Sequence, residues 1–202
     1  IDSLRVDRFK LIEGRLGTLR ANVGWKLSEG QINIKGVTND TIQGASGLIP
    51  SNTFIDGYVS TKHHYIDLGM KLDNTRAEFL GTLCSSFLEN VDLRGNGDLR
   101  LWGDLSKLNL TGDIVTDGMM TIKPTGVRYQ VNRGKVHFIE NEIQLPGDTI
   151  IDEYGNRGLV TGAIHHRHIS HITTDIAAHA DHLLAFNTNG ADGSNFYGKV
   201  FG

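Results

Sequence analysis

The sequence predicts an all-β chain: a long, mainly antiparallel, meandering sheet with one short amphipathic helix. Three observations predict it. Apolar and polar residues alternate with a period of two along most of the chain, the repeat of a strand that buries one face. Glycine is abundant, at 25 of 202 residues, and proline scarce, at 3, which suits many strands joined by tight turns. A single segment breaks the period and carries apolar residues at helical spacing.

Along the chain, Leu19, Ala21, Val23, Trp25 and Leu27 share one strand face, with Arg20, Asn22 and Lys26 opposite. Ile66, Leu68, Met70 and Leu72 repeat the pattern against Asp67, Lys71 and Asp73. Leu99, Leu101 and Leu105 are in phase, whereas Leu108, Leu110 and Ile114 are in the opposite phase, so a turn or bulge is expected near Ser106 and Lys107. The exception is the segment 76–90, where Leu80, Leu83, Phe87 and Leu88 fall at helical spacing after a capping Asp73 or Asn74. Gly81 weakens that helix. Further strands are read at 120–123, 126–132, 135–139, 142–145, 158–165 and 172–180.

A sheet of about ten strands has an apolar face that one short helix cannot cover, and a bare apolar face of more than a few hundred Å² is rare on a soluble monomer. The sheet therefore has to close on itself, as a sandwich or barrel with a dry core or as a U-shaped trough with an interior left partly open. The period does not choose between these.

Composition excludes some functions. The net charge is −3, with 20 Lys and Arg outnumbered by 23 acids, so nucleic acid is not an expected partner. A lone cysteine, Cys84, cannot form an internal disulfide and reads as a small buried apolar residue. No apolar run approaches the roughly 18 residues of a membrane span, and the opening residues do not read as a signal peptide. Because the chain starts at Ile1 and ends on "NFYGKVFG", residues 1–202 read as one repetitive β domain cut from a longer protein. No nucleophile with an orienting base and no carboxylate pair beside a histidine emerges, so no catalytic residue and no cofactor is expected. "GNGDLRLWG" lacks phosphate-loop spacing, and "NGADG" (189–193) reads as a turn with too few carboxylates for calcium. Trp25 and Trp102 read as core or sheet-edge residues.

"HHRHISH" (165–171) holds four of the nine histidines. His166 and His168 have the spacing that puts two imidazoles on one strand face, but His165 and His171 fall on the other phase and polarity rises here. The stretch reads as a strand end and turn, with that pair as the sole candidate for a metal.

The ordered series "GNGDLRLWGDLSKLNLTGDI" (95–114), "MTIKPTGVRYQVNRGKVHF" (120–138), "DEYGNRGLVTGAIHH" (152–166) and "DHLLAFNT" (181–188) resembles the C-terminal β region of TamB proteins. These are the inner-membrane subunit of the translocation and assembly module, an AsmA-like family, here in its Bacteroidetes-type form. Residues before 95 resemble it only in style. The resemblance implies a sheet curled into a U-shaped, β-taco-like trough or clamshell in the periplasm of a Gram-negative cell, in a full-length protein anchored in the inner membrane. It further implies phospholipid acyl chains as ligands and a TamA or BamA-like outer-membrane barrel as partner, serving lipid transport, outer-membrane protein assembly and secretion. The groove candidates are then the alternating apolar residues Leu19, Val23, Trp25, Leu27, Ile66, Leu68, Met70, Leu72, Leu99, Leu101, Leu108 and Leu110, for which packed core is the plain alternative. Fully enclosing a fourteen-carbon chain would gain roughly 10 kcal/mol, and an open trough less, which favours release. The competing functions are a closed β-sandwich binding or adhesin-like module without a groove, and a zinc enzyme built on the histidines.

Overall fold

The computed structural model describes residues 3–11, 13–44, 46–188 and 198–202. Eleven strands form one antiparallel sheet in which neighbours in space are neighbours in sequence. They are β1 (Leu4–Leu11), β2 (Gly14–Lys26), β3 (Gln31–Gly44), β4 (Gly47–Ser60), β5 (Tyr65–Arg76), β6 (Leu88–Asp104), β7 (Lys107–Ile122), β8 (Val127–Ile139), β9 (Glu142–Ile151), β10 (Arg157–Arg167) and β11 (Ser170–His179). Two further strands, β12 (Leu184–Thr188) and β13 (Gly198–Phe201), pair separately. β1 and β11 do not pair with each other, so the main sheet is open and forms no barrel.

Register aligns the apolar phase of every strand. One row of directly opposed inward positions runs Ala21, Gly36, Ile55, Met70, Leu99, Gly112, Phe138, Ile143, Ile164, Thr174, crossing the ten strands from β2 to β11. The Leu105–Ser106 turn resolves the phase change near Ser106, because it reverses the chain so that Leu101 and Leu110 stand opposite each other. The outward phase is charged, with Lys35 paired to Asp56 at 3.2 Å and Arg100 to Asp67 at 2.7 Å. Trp102 lies on this phase beneath the Arg100 guanidinium, 5.7 Å from its ring centre.

The sheet is strongly curled. The helix α1 (Glu78–Leu83) follows β5, yet Glu78 Oε2 accepts the Arg15 N–H of β2 at 3.1 Å, and Gly81 packs on Val91 of β6. On a flat sheet β2 and β6 lie four spacings, about 19 Å, apart, while a six-residue helix is only about 9 Å long. Curling brings both strands to it. Arg76 ties the arrangement together, bonding to the Thr41 carbonyl at 3.1 Å and lying within ion-pair distance of Asp40 and Glu78. At the other end of the sheet, His168 Nδ1 lies 3.3 Å from Asn109 Oδ1 of β7, across three spacings or about 14 Å of flat sheet.

Glycines permit the bend. Gly97 and Gly112, diagonal neighbours on β6 and β7, have φ of 147° and 131°, and a Cβ on either would come within 2.1 Å of the Asp113 or Asp98 carbonyl oxygen. Both strands thus pass closer together there than any side chain allows.

Some elements differ from the sequence reading. The helix covers only Glu78–Leu83 of the expected 76–90, and Leu88 already pairs with Ile122 in β6. Its N-cap position is Ala77, without a side-chain cap, because Asp73 and Asn74 belong to β5. The ladder of β6 outcompetes a helix interrupted by Gly81. Segments 126–132 and 135–139 are one strand, β8, interrupted by a bulge at Asn132–Arg133 where Arg133 has φ of 53°. The 120–123 segment is the end of β7, and β1, β3, β4 and β12 add to the strands assigned from sequence. The turn expected at 189–193 lies outside the described residues.

Replacing Gly112 with Ala is expected to lower stability by about 1–3 kcal/mol, because it forces an L side chain into a conformation and a gap that exclude one. Gly69→Ala is the control, since its Cβ would meet nothing nearer than 3.5 Å; urea denaturation should show a change within about 0.5 kcal/mol there.

Candidate functional site: an apolar cavity under the second half of the sheet

The two halves of the inward face are filled differently. Under β2 to β7, Leu16, Met70, Leu72, Phe79, Leu99 and Leu110 pack so closely that the space between them is about 10 Å³, room for a water molecule at most. Under β6 to β11 the same face lines a cavity of about 440 Å³, open toward solvent along β11, where Thr174, Ile176 and Ala178 are exposed; its volume lies within the roughly 300–1,000 Å³ of small-molecule sites.

The register of β6 to β11 brings the walls of that cavity together. Leu93 of β6, Met120 and Ile122 of β7, Val131 and Val136 of β8, Ile143 and Ile150 of β9, and Val160 and Ile164 of β10 supply the apolar floor. Thr174, Ile176 and Ala178 continue it onto β11. Small side chains on that last strand, Thr174 and Ala178, leave unfilled part of the volume that leucines and methionines occupy in the first half. At one end Leu80, Cys84 and Phe87, from the helix and the turn after it, form a cover. Burial raises the Cys84 thiol to about 12, so it is neutral and serves as an apolar wall group.

Leu183 and Ala185 approach from the C-terminal segment, which crosses the strand ends as a strap. Three hydrogen bonds hold it: Tyr129 Oη donates to the Leu184 carbonyl at 2.6 Å, Leu184 N–H to Asp152 Oδ2 at 2.9 Å, and Asn187 N–H to the Thr125 carbonyl at 2.7 Å. Burial works to raise the Asp152 pKa, but the Leu184 amide, together with the Asn156 side chain and the Asn156 and Tyr154 amides, outweighs it and holds the carboxyl below its ordinary value. Burial, assisted by the Asp152 charge, raises the Tyr129 phenol, which stays neutral and able to donate.

At the opposite strand ends lies the histidine-rich stretch. β10 ends at Arg167 and β11 begins at Ser170, so His168 and Ile169 form a two-residue turn, both at positive φ (49° and 64°). Such a conformation is strained for a β-branched isoleucine. Contacts hold it: His168 N–H donates to Asn141 Oδ1 at 3.1 Å, Ile169 N–H to His166 Nδ1 at 3.3 Å, and Ile169 packs on the core. His166 is buried, and burial, with His168 nearby, lowers its pKa. His165 pairs with Glu142. Among the described residues no group of three or more His, Cys, Asp or Glu is arranged to hold a metal ion.

Of the twelve groove candidates, Leu19, Leu68, Met70, Leu72, Leu99, Leu101 and Leu110 are buried and Val23, Ile66 and Leu108 half-buried. Trp25 and Leu27, 65% and 81% exposed, lie at the open end of β2, where Leu27 has already entered a 3-10 turn. None of the twelve lines the larger cavity. The lining strands alternate as regularly as the others; what distinguishes them in sequence is valine and isoleucine on β8 to β10 and Thr174 and Ala178 on β11, where the first half has Leu and Met. Compared with known proteins, the chain matches no family model, no curated protein and no solved structure. Its fold and cavity define it as an open, curled β trough.

Tyr129→Phe should leave the Leu184 carbonyl buried without its donor, costing about 1–3 kcal/mol in urea unfolding. Because the Asp152 pKa is lower folded than unfolded, its stabilisation of the strap is complete above about pH 4 and lost as pH falls through the folded value. The Leu184 amide resonance should follow that loss on acidification in the native protein and stay flat in Asp152→Asn.

Proposed function

We propose that the chain is a trough segment of a TamB-like envelope protein, working in the periplasm as part of a protein anchored in the inner membrane. Its apolar interior shields lipid acyl chains between the inner and outer membranes. The observation that carries this reading is the 440 Å³ apolar cavity, which continues the inward row crossing ten strands. At about 0.8 kcal/mol per buried CH₂, a chain partly enclosed there gains enough to leave water and little enough to move on. Shielding needs no catalytic group, and we assign the chain no enzymatic activity and no cofactor. Support for outer-membrane protein assembly and secretion beside a TamA-type barrel belongs to the same proposal and rests on the ordered motifs between residues 95 and 188.

Benzophenone-bearing residues at Val136 and Val160 should crosslink to phospholipid acyl chains in cells, and one at the outward, exposed Arg128 should not. Crosslinks at Arg128 alone, or at none of the three, would remove the shielding role.

A further inference from the structure

The hydroxyl groups of the cavity wall are largely committed to the backbone. Thr116 Oγ1 donates to the Gly134 carbonyl at 3.3 Å, Thr125 Oγ1 to the Ile122 carbonyl at 3.2 Å, and Tyr129 Oη to the Leu184 carbonyl. Asp148 differs from them. The β8–β9 ladder pairs Val131 with Ile150 and His137 with Gln144 but is open between, and Pro146 and Gly147 sit where β9 carries one residue more than β10. Asp148 follows this bulge and lines the cavity. Its Oδ1 accepts the Lys135 N–H at 2.7 Å in place of a ladder bond. An ionised carboxylate accepts about four hydrogen bonds, so acceptor capacity remains on a half-buried group. Burial raises its pKa, and the Lys135 amide and charge only partly offset this.

We propose that Asp148 is the polar recognition residue of the cavity, which selects a long apolar chain carrying a hydrogen-bond donor, a hydroxyl or a primary amine, over a chain ending in a carboxylate. The chain's methylenes lie against Val136, Ile143 and Ile164 while the donor satisfies the carboxylate. A donor meeting a charged acceptor out of bulk water is worth about tenfold or more in affinity. An incoming carboxylate meets like charge where solvent screens it poorly. This inference rests on the cavity being an apolar-chain site.

The test is displacement of the fluorescent apolar probe N-phenyl-1-naphthylamine from the whole chain by dodecanol, dodecylamine and laurate at neutral pH. The expected ranking puts the alcohol and the amine at least about tenfold ahead of laurate. Asp148→Asn keeps an oxygen acceptor for the Lys135 amide, so the bulge is retained. It should weaken the amine, spare the alcohol and admit laurate. Asp148→Leu should lose the preference for the alcohol as well, with thermal unfolding checking that both variants are folded. Equal affinities for the three, laurate as the tightest ligand, or a ranking unchanged in folded Asp148→Asn would overturn the assignment while leaving the acyl-chain reading intact. Failure of the unmodified chain to take up the probe or any of the three ligands would overturn both.

Discussion

Everything in this molecule follows from the need to keep one face of an eleven-stranded sheet away from water. Strands that alternate so regularly produce a continuous apolar surface, and among the described residues no second layer is large enough to cover it. The sheet covers itself by curling. α1 can touch β2 and β6 at once, and His168 can reach Asn109, because distances measured along the sheet greatly exceed distances across its interior. Glycines at Gly97 and Gly112 let two central strands meet at main-chain distance, and the Arg76 network fixes the helix to the bent sheet.

Within that frame the two halves do different work. Where inward side chains are large and the helix is tucked among them, the interior is solid. From β8 onward valine, isoleucine, threonine and alanine take many of the inward positions, beside Tyr129, Phe138 and Leu145, and the same curl leaves a hollow. The polar groups beside it are arranged so that few remain unsatisfied: threonine and tyrosine hydroxyls turn back onto carbonyls, and Asp152 collects amides at the strap. Asp148 keeps acceptor capacity at the wall.

Much of the fold was legible in the sequence, since a period of two, a surplus of glycine and one helical interruption state the all-β meander directly. The stretch at 165–171 was equally legible as a strand end and turn, because polarity and phase both change there. The spacing makes the helix too long: Leu88 satisfies both a helical and a strand pattern, and its pairing with the distant Ile122 of β7 is a tertiary contact that local spacing does not encode. The hollow was not legible. Alternation marks which residues face inward, and it ranks the longest unbroken stripes, Leu68 to Leu72 and Leu99 to Leu110, as the most apolar. Those same stripes pack best and leave the least room, so the search for a groove by hydrophobicity points to solid core. Free volume depends on side-chain size summed across strands brought together by curvature, and only the register supplies that sum.

The unbroken order of strands from β1 to β11 also bears on how such a chain acquires its shape. Each strand meets only the ones before and after it, so pairing can advance hairpin by hairpin, each closing a short loop at small entropic cost. The contacts that close the curl, Arg15 with Glu78, Asn109 with His168 and Tyr129 with Leu184, span 63, 59 and 55 residues. They can form only after the intervening strands are laid down. A chain emerging from one end could therefore assemble its sheet as it arrives, with the interior sealed last.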